Sequence, residues 1–130
     1  MAYLIDSDWL IDHLDDDPAA VALLTQLAPQ RIAISIISYL EVFQGTLKTP
    51  APAVAQAKLE TFLRKVPVFP LSPDVARRCA HVRETLRRQG KQVHRRSLDL
   101  IIAATALEHD LTLVTRNKND FADVVGLQLY

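Results

Sequence analysis

Apolar residues along this chain occur in two patterns, short continuous runs and longer stretches with helical spacing. The short runs predict strands, and they lie at residues 3–5, 31–35, 66–71, 111–114 and 127–129. The helical patterns lie between them, at residues 18–28, 38–47, 52–65, 73–89 and 97–107. Strands that alternate with helices predict an α/β fold with a mainly parallel central sheet flanked by helices.

The helix predicted at 73–89 shows how apolar spacing and end signals combine. Its apolar residues follow one another at intervals of four, three and four positions: Val75, Cys79, Val82 and Leu86. This spacing places them on one face, and Gly90 favours a helix end directly afterwards. Because Cys79 lies in this stripe, we expect a buried small hydrophobic residue rather than a nucleophile.

The composition is that of an ordinary globular protein and excludes several other classes. The chain has 130 residues, of which 49% are hydrophobic and 23% charged, so we expect one domain, residues 1–130, around one core. No apolar run approaches the roughly 20 residues that a membrane-spanning helix needs, and no signal peptide is visible at the start. A single cysteine forbids an internal disulfide and suits a reducing, cytoplasmic setting.

Positive and negative charges balance overall but lie in different parts of the chain. Lysine and arginine total 15, as do aspartate and glutamate, and a net charge of zero taken alone argues against a nucleic-acid partner. However, residues 1–17 contain six aspartates and no Lys or Arg, whereas residues 77–96 contain eight Lys or Arg and one acid. We therefore expect a neutral total composed of one acidic and one basic region.

Four acidic residues lie near predicted strand ends or at the start of the most apolar helix. These are Asp6, Glu41, Asp99 and Asp120. In an open α/β sheet, ligands bind outside the carboxyl ends of the strands, so acids from separate segments can meet at one edge. Carboxylates that meet there repel one another unless a cation neutralises them. Oxygen ligands without cysteine or a histidine cluster suit Mg²⁺ or Mn²⁺ rather than Zn²⁺.

Such a site suits the hydrolysis of a phosphodiester. A bound divalent ion lowers the pKa of a water molecule, positions it and neutralises charge on the phosphoryl oxygens. The helix N-terminus would keep Asp99 ionised. No Ser-His-Asp order or cysteine nucleophile offers a competing chemistry in this sequence.

Each acid, taken singly, also has a purely structural interpretation. Asp6 can cap the helix that follows it, and Glu41 can fold back on the amide of Ser38 in a capping box. Asp99 can be an ordinary acid in a first helical turn, and Asp120 can be a loop residue. Four such acids near one sheet edge favour the metal site over four separate structural roles.

Four segments carry these acids. They are Leu4–Ile11, Ile34–Glu41, Ser97–Ala106 and Leu113–Phe121. In order, spacing and total length they resemble the four motifs of PIN-domain ribonucleases, in particular the VapC toxins of toxin–antitoxin pairs. Because the resemblance spans essentially the whole chain, it implies a PIN-like α/β/α sandwich.

The resemblance implies a Mg²⁺- or Mn²⁺-dependent endoribonuclease in which the four acids named above hold the metal and carry catalysis. Members of the family cut RNA, such as tRNA, ribosomal RNA or mRNA, and inhibit translation until an antitoxin binds them. The resemblance therefore also implies a VapB-like antitoxin and a homodimer as partners. Two alternatives stay open: a catalytically silent PIN module that binds RNA or a partner protein, and a nuclease that acts on DNA.

Three further residues bear on how closely the site follows the family. Asp8 stands where the family usually has Ser, Thr or Asn. Asn117 stands where some members carry an acid, which leaves open whether one or two metal ions bind. Thr115 resembles a family hydroxyl at the strand end, which can orient a carboxylate or a water molecule.

The basic region acquires a role if the substrate is RNA, because phosphate neutralisation dominates affinity for nucleic acids. The candidate phosphate contacts are Arg88, Lys91, Arg95, Arg96 and Arg116. Since Arg95 and Arg96 come just before Asp99 in the chain, we expect them to lie beside the acids.

Overall fold

The computed structural model describes residues 2–130, and its centre is a four-stranded sheet. The strands are β1 (Tyr3–Ile5), β2 (Ile32–Ser35), β3 (Val68–Phe69) and β4 (Thr112–Val114). Their order across the sheet is β3-β2-β1-β4, and each neighbouring pair is parallel. This confirms the predicted mainly parallel sheet, and it puts the carboxyl ends of the strands at one edge.

Helices surround this sheet in the described part of the chain. They are α1 (Ser7–Leu14), α2 (Pro18–Leu27), α3 (Ile36–Thr46), α4 (Pro52–Leu63), α5 (Pro73–Arg88), α6 (Ser97–Glu108) and α7 (Lys118–Phe121). Two short 3₁₀ turns, Ala28–Gln30 and His94–Arg96, precede β2 and α6. No helix within residues 2–130 combines the length and the apolar composition needed to cross a bilayer.

Alternate residues of β1 contribute to two separate hydrophobic clusters. Leu4 belongs to a cluster with residues of α5 and α6, whereas Tyr3 and Ile5 belong to one with residues of α1, α2 and α4. Because successive side chains of a strand point to opposite faces, helices cover the sheet on both sides. Cys79 is buried in the first cluster, as its place in the apolar stripe of α5 predicts.

Two predicted strands differ from their apolar runs by more than one residue. The run at 66–71 gives only the two residues of β3, because Pro67 and Pro70 flank them and lack the N–H group that a strand ladder needs. The run at 127–129 forms a single parallel bridge, between Leu113 and Leu129, instead of a strand.

Helix α3 begins at Ile36, two residues before its predicted start. Ser35, the last residue of β2, caps the helix by accepting a hydrogen bond from the Ser38 N–H at 3.0 Å. The chain therefore passes from β2 directly into α3. This brings Glu41 to within about two helical turns of the carboxyl edge of the sheet.

Candidate active site

Asp6 lies directly after β1 and is buried, with 5% of its surface exposed. Its Oδ1 accepts a hydrogen bond from the Ser7 main-chain N–H at 2.8 Å, which makes Asp6 the N-cap of α1. Its Oδ2 accepts a hydrogen bond from the Thr115 hydroxyl at 2.7 Å, across the ends of β1 and β4. Asp6 thus has the capping role that its sequence suggested and a second bond at the sheet edge.

The pKa of Asp6 is raised from 3.8 to about 6, chiefly because burial disfavours the ionised carboxylate. The hydrogen bonds from Thr115 and Ser7 oppose this rise, whereas the negative charges of Asp8 and Asp99 add to it. A cation bound beside Asp6 would relieve both the burial of its charge and the repulsion from its neighbours.

Ser7 connects Glu41 to the carboxylate of Asp6. The Ser7 hydroxyl donates a hydrogen bond to Glu41 Oε1 at 2.9 Å, while the Ser7 main chain donates to Asp6. Glu41 does not fold back on Ser38, whose N–H is already bonded to Ser35. The capping-box interpretation of Glu41 is therefore wrong, and its side chain is directed to the end of β1 instead.

Asp99 and Asp120 complete the set of acids near Asp6. Asp99 lies half-buried in the first turn of α6, and its pKa is raised by burial and by the charge of Asp120, against the opposing effect of Arg96. Asp120 lies in α7 and is exposed. The charge of Asp120 raises the pKa of Asp99, and the charge of Asp99 raises the pKa of Asp6, so the three carboxylates share one region.

The donor set fits a hard divalent cation, although the acids are not drawn together as a finished coordination shell. Within residues 2–130, no group of three His, Cys, Asp or Glu side chains has the spacing of a metal cluster. The acids are linked in pairs instead, Glu41 to Asp6 through Ser7, and Asp99 to Asp6 and Asp120 by electrostatic interaction. Since each of these donors is a carboxylate oxygen, the set suits Mg²⁺ or Mn²⁺.

The auxiliary residues predicted from the sequence lie in the first turn of α1 and in the segment that follows β4. Asp8 accepts hydrogen bonds from the main-chain N–H groups of Trp9, at 2.7 Å, and Arg116, at 3.3 Å, so it connects the start of α1 to the segment after β4. Thr115 is buried and accepts the Asn117 main-chain N–H at 3.1 Å as well as donating to Asp6. Asn117 itself is exposed.

Most cations of the segment 77–96 pair with acids of this chain, whereas the sequence suggested a free basic region. Arg88 forms an ion pair within α5, and Lys91 and Arg96 both pair with Asp123. Arg95 is exposed, and no hydrogen bond or ion pair joins it to any of residues 2–130. The local charge of the segment is therefore lower than a count of its cations indicates.

Arg116 is held over the indole ring of Trp9. Its guanidinium carbon lies 4.0 Å from the ring centroid, and its Nη1 lies 2.6 Å from Asp12 Oδ2. This cation–π contact and ion pair leave the Arg116 side chain 42% exposed beside the turn that follows β4. Nothing in the sequence signals the contact, because the two residues lie far apart in the chain.

The sequence matches the PIN domain over residues 3–127. It is 33% identical to Ribonuclease VapC19 of Mycobacterium tuberculosis, with 96% of each chain covered. It is 27% identical to tRNA(fMet)-specific endonuclease VapC of Shigella flexneri, with 98% of this chain and 96% of that one covered. The crystal structure of VapBC2 from Rickettsia felis bound to a DNA fragment from its promoter matches with a TM-score of 0.87 at 27% identity, over 100% of this chain and 98% of the other. This chain therefore belongs to the PIN domain family, among the VapC ribonucleases.

Proposed function

We propose that this chain is a metal-dependent endoribonuclease, the toxin of a toxin–antitoxin pair, which hydrolyses phosphodiester bonds of RNA and thereby inhibits translation. The observation that supports this best is the proximity of Asp6, Asp99 and Asp120 at the carboxyl edge of the sheet, where the charge of Asp120 raises the pKa of Asp99 and the charge of Asp99 raises that of Asp6. Acids that oppose one another's ionisation favour a cation among them. The names of the relatives, a ribonuclease and a tRNA-specific endonuclease, support RNA as the substrate class.

In this proposal Mg²⁺ or Mn²⁺ is held by four carboxylates, those of Asp6, Glu41, Asp99 and Asp120. When bound, such a cation lowers the pKa of a water molecule and neutralises charge on the phosphoryl oxygens. The position of Asp99 in the first turn of α6 adds the positive end of the helix dipole, which favours the ionised carboxylate.

The hydroxyl groups of Thr115 and Ser7 orient two of these carboxylates. Thr115 donates to Asp6 Oδ2, and the Ser7 main chain donates to Oδ1, so each oxygen keeps a lone pair for a further partner. The Ser7 hydroxyl holds Glu41 in the same way through Oε1. Both carboxylates are thus directed before any ligand arrives, which reduces the reorganisation needed on binding.

We further propose that the RNA backbone crosses exposed cations beside the acids. Arg95 is the foremost contact, because it is exposed, has no acidic partner within residues 2–130 and precedes Asp99 by about one helical turn. An exposed ion pair stabilises the folded protein by only about 0–1 kcal/mol. Phosphates of the RNA can therefore replace the acidic partners of Arg88, Lys91 and Arg116. Arg96 is less exposed than these three cations, at 23%.

We also propose a VapB-like antitoxin and a second copy of the chain as partners. The match to a VapBC complex supports the antitoxin. Helix α3 and its C-cap residue present three exposed apolar side chains, Ile36, Leu40 and Leu47, which support a homodimer through this helix. We expect Leu40→Glu to convert a dimer into a monomer in light scattering, whereas Val125→Glu, at a residue 80% exposed elsewhere, leaves the mass unchanged. An unchanged mass for Leu40→Glu would contradict this interface.

The central test is cleavage of RNA by the purified protein. We expect tRNA to be cut in the presence of Mg²⁺ or Mn²⁺ and to stay intact in EDTA. Asp99→Asn should bind RNA without cutting it, and Glu108→Gln, a matched change at the other end of α6, should keep the activity. Mapping the ends of cellular RNA cut by the unsubstituted protein but not by Asp99→Asn then identifies the target.

Each other outcome of this test selects a different interpretation. Cleavage that persists in EDTA, or in Asp99→Asn, contradicts the metal–carboxylate mechanism. RNA binding without cleavage at any Mn²⁺ concentration supports the catalytically silent module. Cutting of single-stranded DNA in preference to tRNA supports a nuclease that acts on DNA.

A further inference from the structure

Arg96 ties the start of α6 to the segment that contains α7. It is the last residue of the 3₁₀ turn His94–Arg96 and the N-cap residue of α6. Its Nη1 and Nη2 donate hydrogen bonds to Asp123 Oδ2 and Oδ1 at 2.9 and 2.7 Å, and Nη2 also donates to the Asp120 main-chain carbonyl at 2.8 Å. The element that carries Asp99 is thereby bonded to the element that carries Asp120.

This contact is more enclosed than the ion pairs around it. The side chains of Arg96 and Asp123 are 23% and 25% exposed, whereas that of Arg88 in its own ion pair is 75% exposed. Two parallel N–H···O bonds between a guanidinium and a carboxylate fix the relative orientation of both groups. Because partly buried pairs are screened less than exposed ones, this one holds its geometry where the others can exchange partners.

The hydrogen bond from Arg96 Nη2 to the Asp120 carbonyl extends this contact beyond the ion pair with Asp123. Its acceptor is the main chain of Asp120, so the guanidinium holds the backbone from which that carboxylate extends. Arg96 also interacts electrostatically with Asp99 and Asp120, and its positive charge offsets part of their repulsion. Both effects keep two mutually repelling acids close together.

We propose that Arg96 and Asp123 are positioning residues, which hold Asp120 opposite Asp99 so that the two carboxylates bind one cation. This inference rests on the proposed metal-dependent function and gives Arg96 a different role from the phosphate contact suggested by its sequence neighbourhood. Three hydrogen bonds to the chain itself occupy the guanidinium face turned to Asp120 and Asp123. Lysine cannot reproduce them, because its ammonium is a point charge without the planar fork.

The test compares Mn²⁺ binding, followed by the electron paramagnetic resonance of the free ion, in Arg96→Lys, Asp123→Asn and the unsubstituted protein. We expect each substitution to weaken Mn²⁺ binding by roughly tenfold or more, within the 10–100-fold range for groups that support metal ligands. In cleavage assays kcat should fall while the KM for RNA stays nearly constant. The matched controls are Arg78→Lys and Glu108→Gln, which alter an ion pair between α5 and α6 and should keep the affinity.

The Asp123→Asn variant distinguishes a positioning role of Arg96 from a role in binding phosphate. If Arg96 were only a phosphate contact, Mn²⁺ binding would stay unchanged in Asp123→Asn, and RNA binding alone could not decide, because removal of the Asp123 charge frees Lys91 as well as Arg96. Unchanged Mn²⁺ binding in Asp123→Asn, or in folded Arg96→Lys, would overturn the positioning role of these residues. If Asp99→Asn loses Mn²⁺ in the same experiment, the proposed metal site is unaffected by that result. If the unsubstituted protein binds no Mn²⁺, or Asp99→Asn binds it equally well, the inference fails together with the proposed metal site. Thermal unfolding of each variant identifies loss of folding.

Discussion

Thr115 donates its hydroxyl hydrogen to Asp6 Oδ2 across 2.7 Å, although 109 positions separate the two residues in the chain. The parallel pairing of β1 with β4 brings them together, since each follows its strand at the same edge of the sheet. Both residues are buried, so water competes little for this hydrogen bond. The bond therefore fixes the direction of the carboxylate that we propose as a metal ligand.

Replacing Thr115 by valine removes this hydroxyl with little change in side-chain size. We expect Mn²⁺ affinity to fall roughly 10–100-fold, as is usual when a group that hydrogen-bonds to a metal ligand is lost. Calorimetric titration with Mn²⁺ measures the change. Thr115→Ser keeps the hydroxyl and should retain most of the affinity. Equal affinities of the valine variant and the unsubstituted protein would mean that Asp6 needs no orientation by Thr115.

The raised pKa of Asp6 predicts that the metal-free protein loses stability as the pH rises. Between pH 3.8 and about 6, the folded chain keeps a proton on Asp6 that the unfolded chain has released. Higher pH therefore favours the unfolded state, and Asp6 alone should lower the free energy of unfolding by about 2–3 kcal/mol between pH 4 and pH 7. Urea unfolding in EDTA at both pH values measures this loss.

Asp6→Asn isolates the contribution of this carboxyl from those of other titrating groups. Asparagine does not titrate, so the difference between the two proteins in the pH dependence of unfolding reports Asp6. Saturating Mg²⁺ at pH 7 should restore stability to the unsubstituted protein, because a ligand that binds only the folded state stabilises it. A pH dependence that is the same in both proteins would contradict the elevated pKa.

The sheet and the approximate location of the acids could be predicted from the sequence, because both depend on local patterns. Short apolar runs alternate with helical spacing, and this alternation already implies parallel strands with a shared carboxyl edge. Asp6 follows β1 directly, and Asp120 follows β4 after a short turn. These acids therefore lie near that edge whatever the detailed packing of the helices.

The contacts that orient the acids could not be predicted, because they depend on how whole helices are placed. Ser7 and Glu41 are 34 positions apart, and Arg96 and Asp123 are 27 apart, so no short-range pattern links either pair. The local pattern Ser38–Glu41 even favoured the wrong partner, since it assumed a later start for α3. The pairing of Lys91 and Arg96 with Asp123 could not be predicted for the same reason, whereas Glu84 pairs with Arg87 and Arg88 at the i,i+3 and i,i+4 spacing of one helix.

Arg95 offers a direct test of how the protein holds RNA. We expect Arg95→Ala to reduce the slope of log K against log salt concentration by about 0.7–1, the effect of losing one phosphate contact. Fluorescence anisotropy with labelled tRNA in EDTA, at several salt concentrations, measures this slope without cleavage. Arg31→Ala removes an exposed cation at the amino end of β2, on the opposite edge of the sheet, and should leave the slope unchanged. Identical slopes for the unsubstituted protein, Arg95→Ala and Arg31→Ala would exclude Arg95 as a phosphate contact.

Ser7 provides a test of whether Glu41 belongs to the working site. Ser7→Ala removes the hydroxyl that donates to Glu41 Oε1 but keeps the main-chain N–H that bonds to Asp6, so only the Glu41 contact is lost. We expect kcat for RNA cleavage to fall by roughly tenfold, while Ser7→Thr, which keeps a hydroxyl, stays close to the unsubstituted protein.

A double-mutant cycle decides whether this loss passes through Glu41. If Ser7 acts by orienting the Glu41 carboxylate, Ser7→Ala should have little further effect on kcat once Glu41→Gln has removed the charge. The reason is that the effects of substitutions within one hydrogen-bond network are not additive. The rates of the two single variants and the double variant, measured at saturating RNA, give the coupling between them. Fully additive losses would mean that Ser7 affects cleavage by a route that does not involve Glu41.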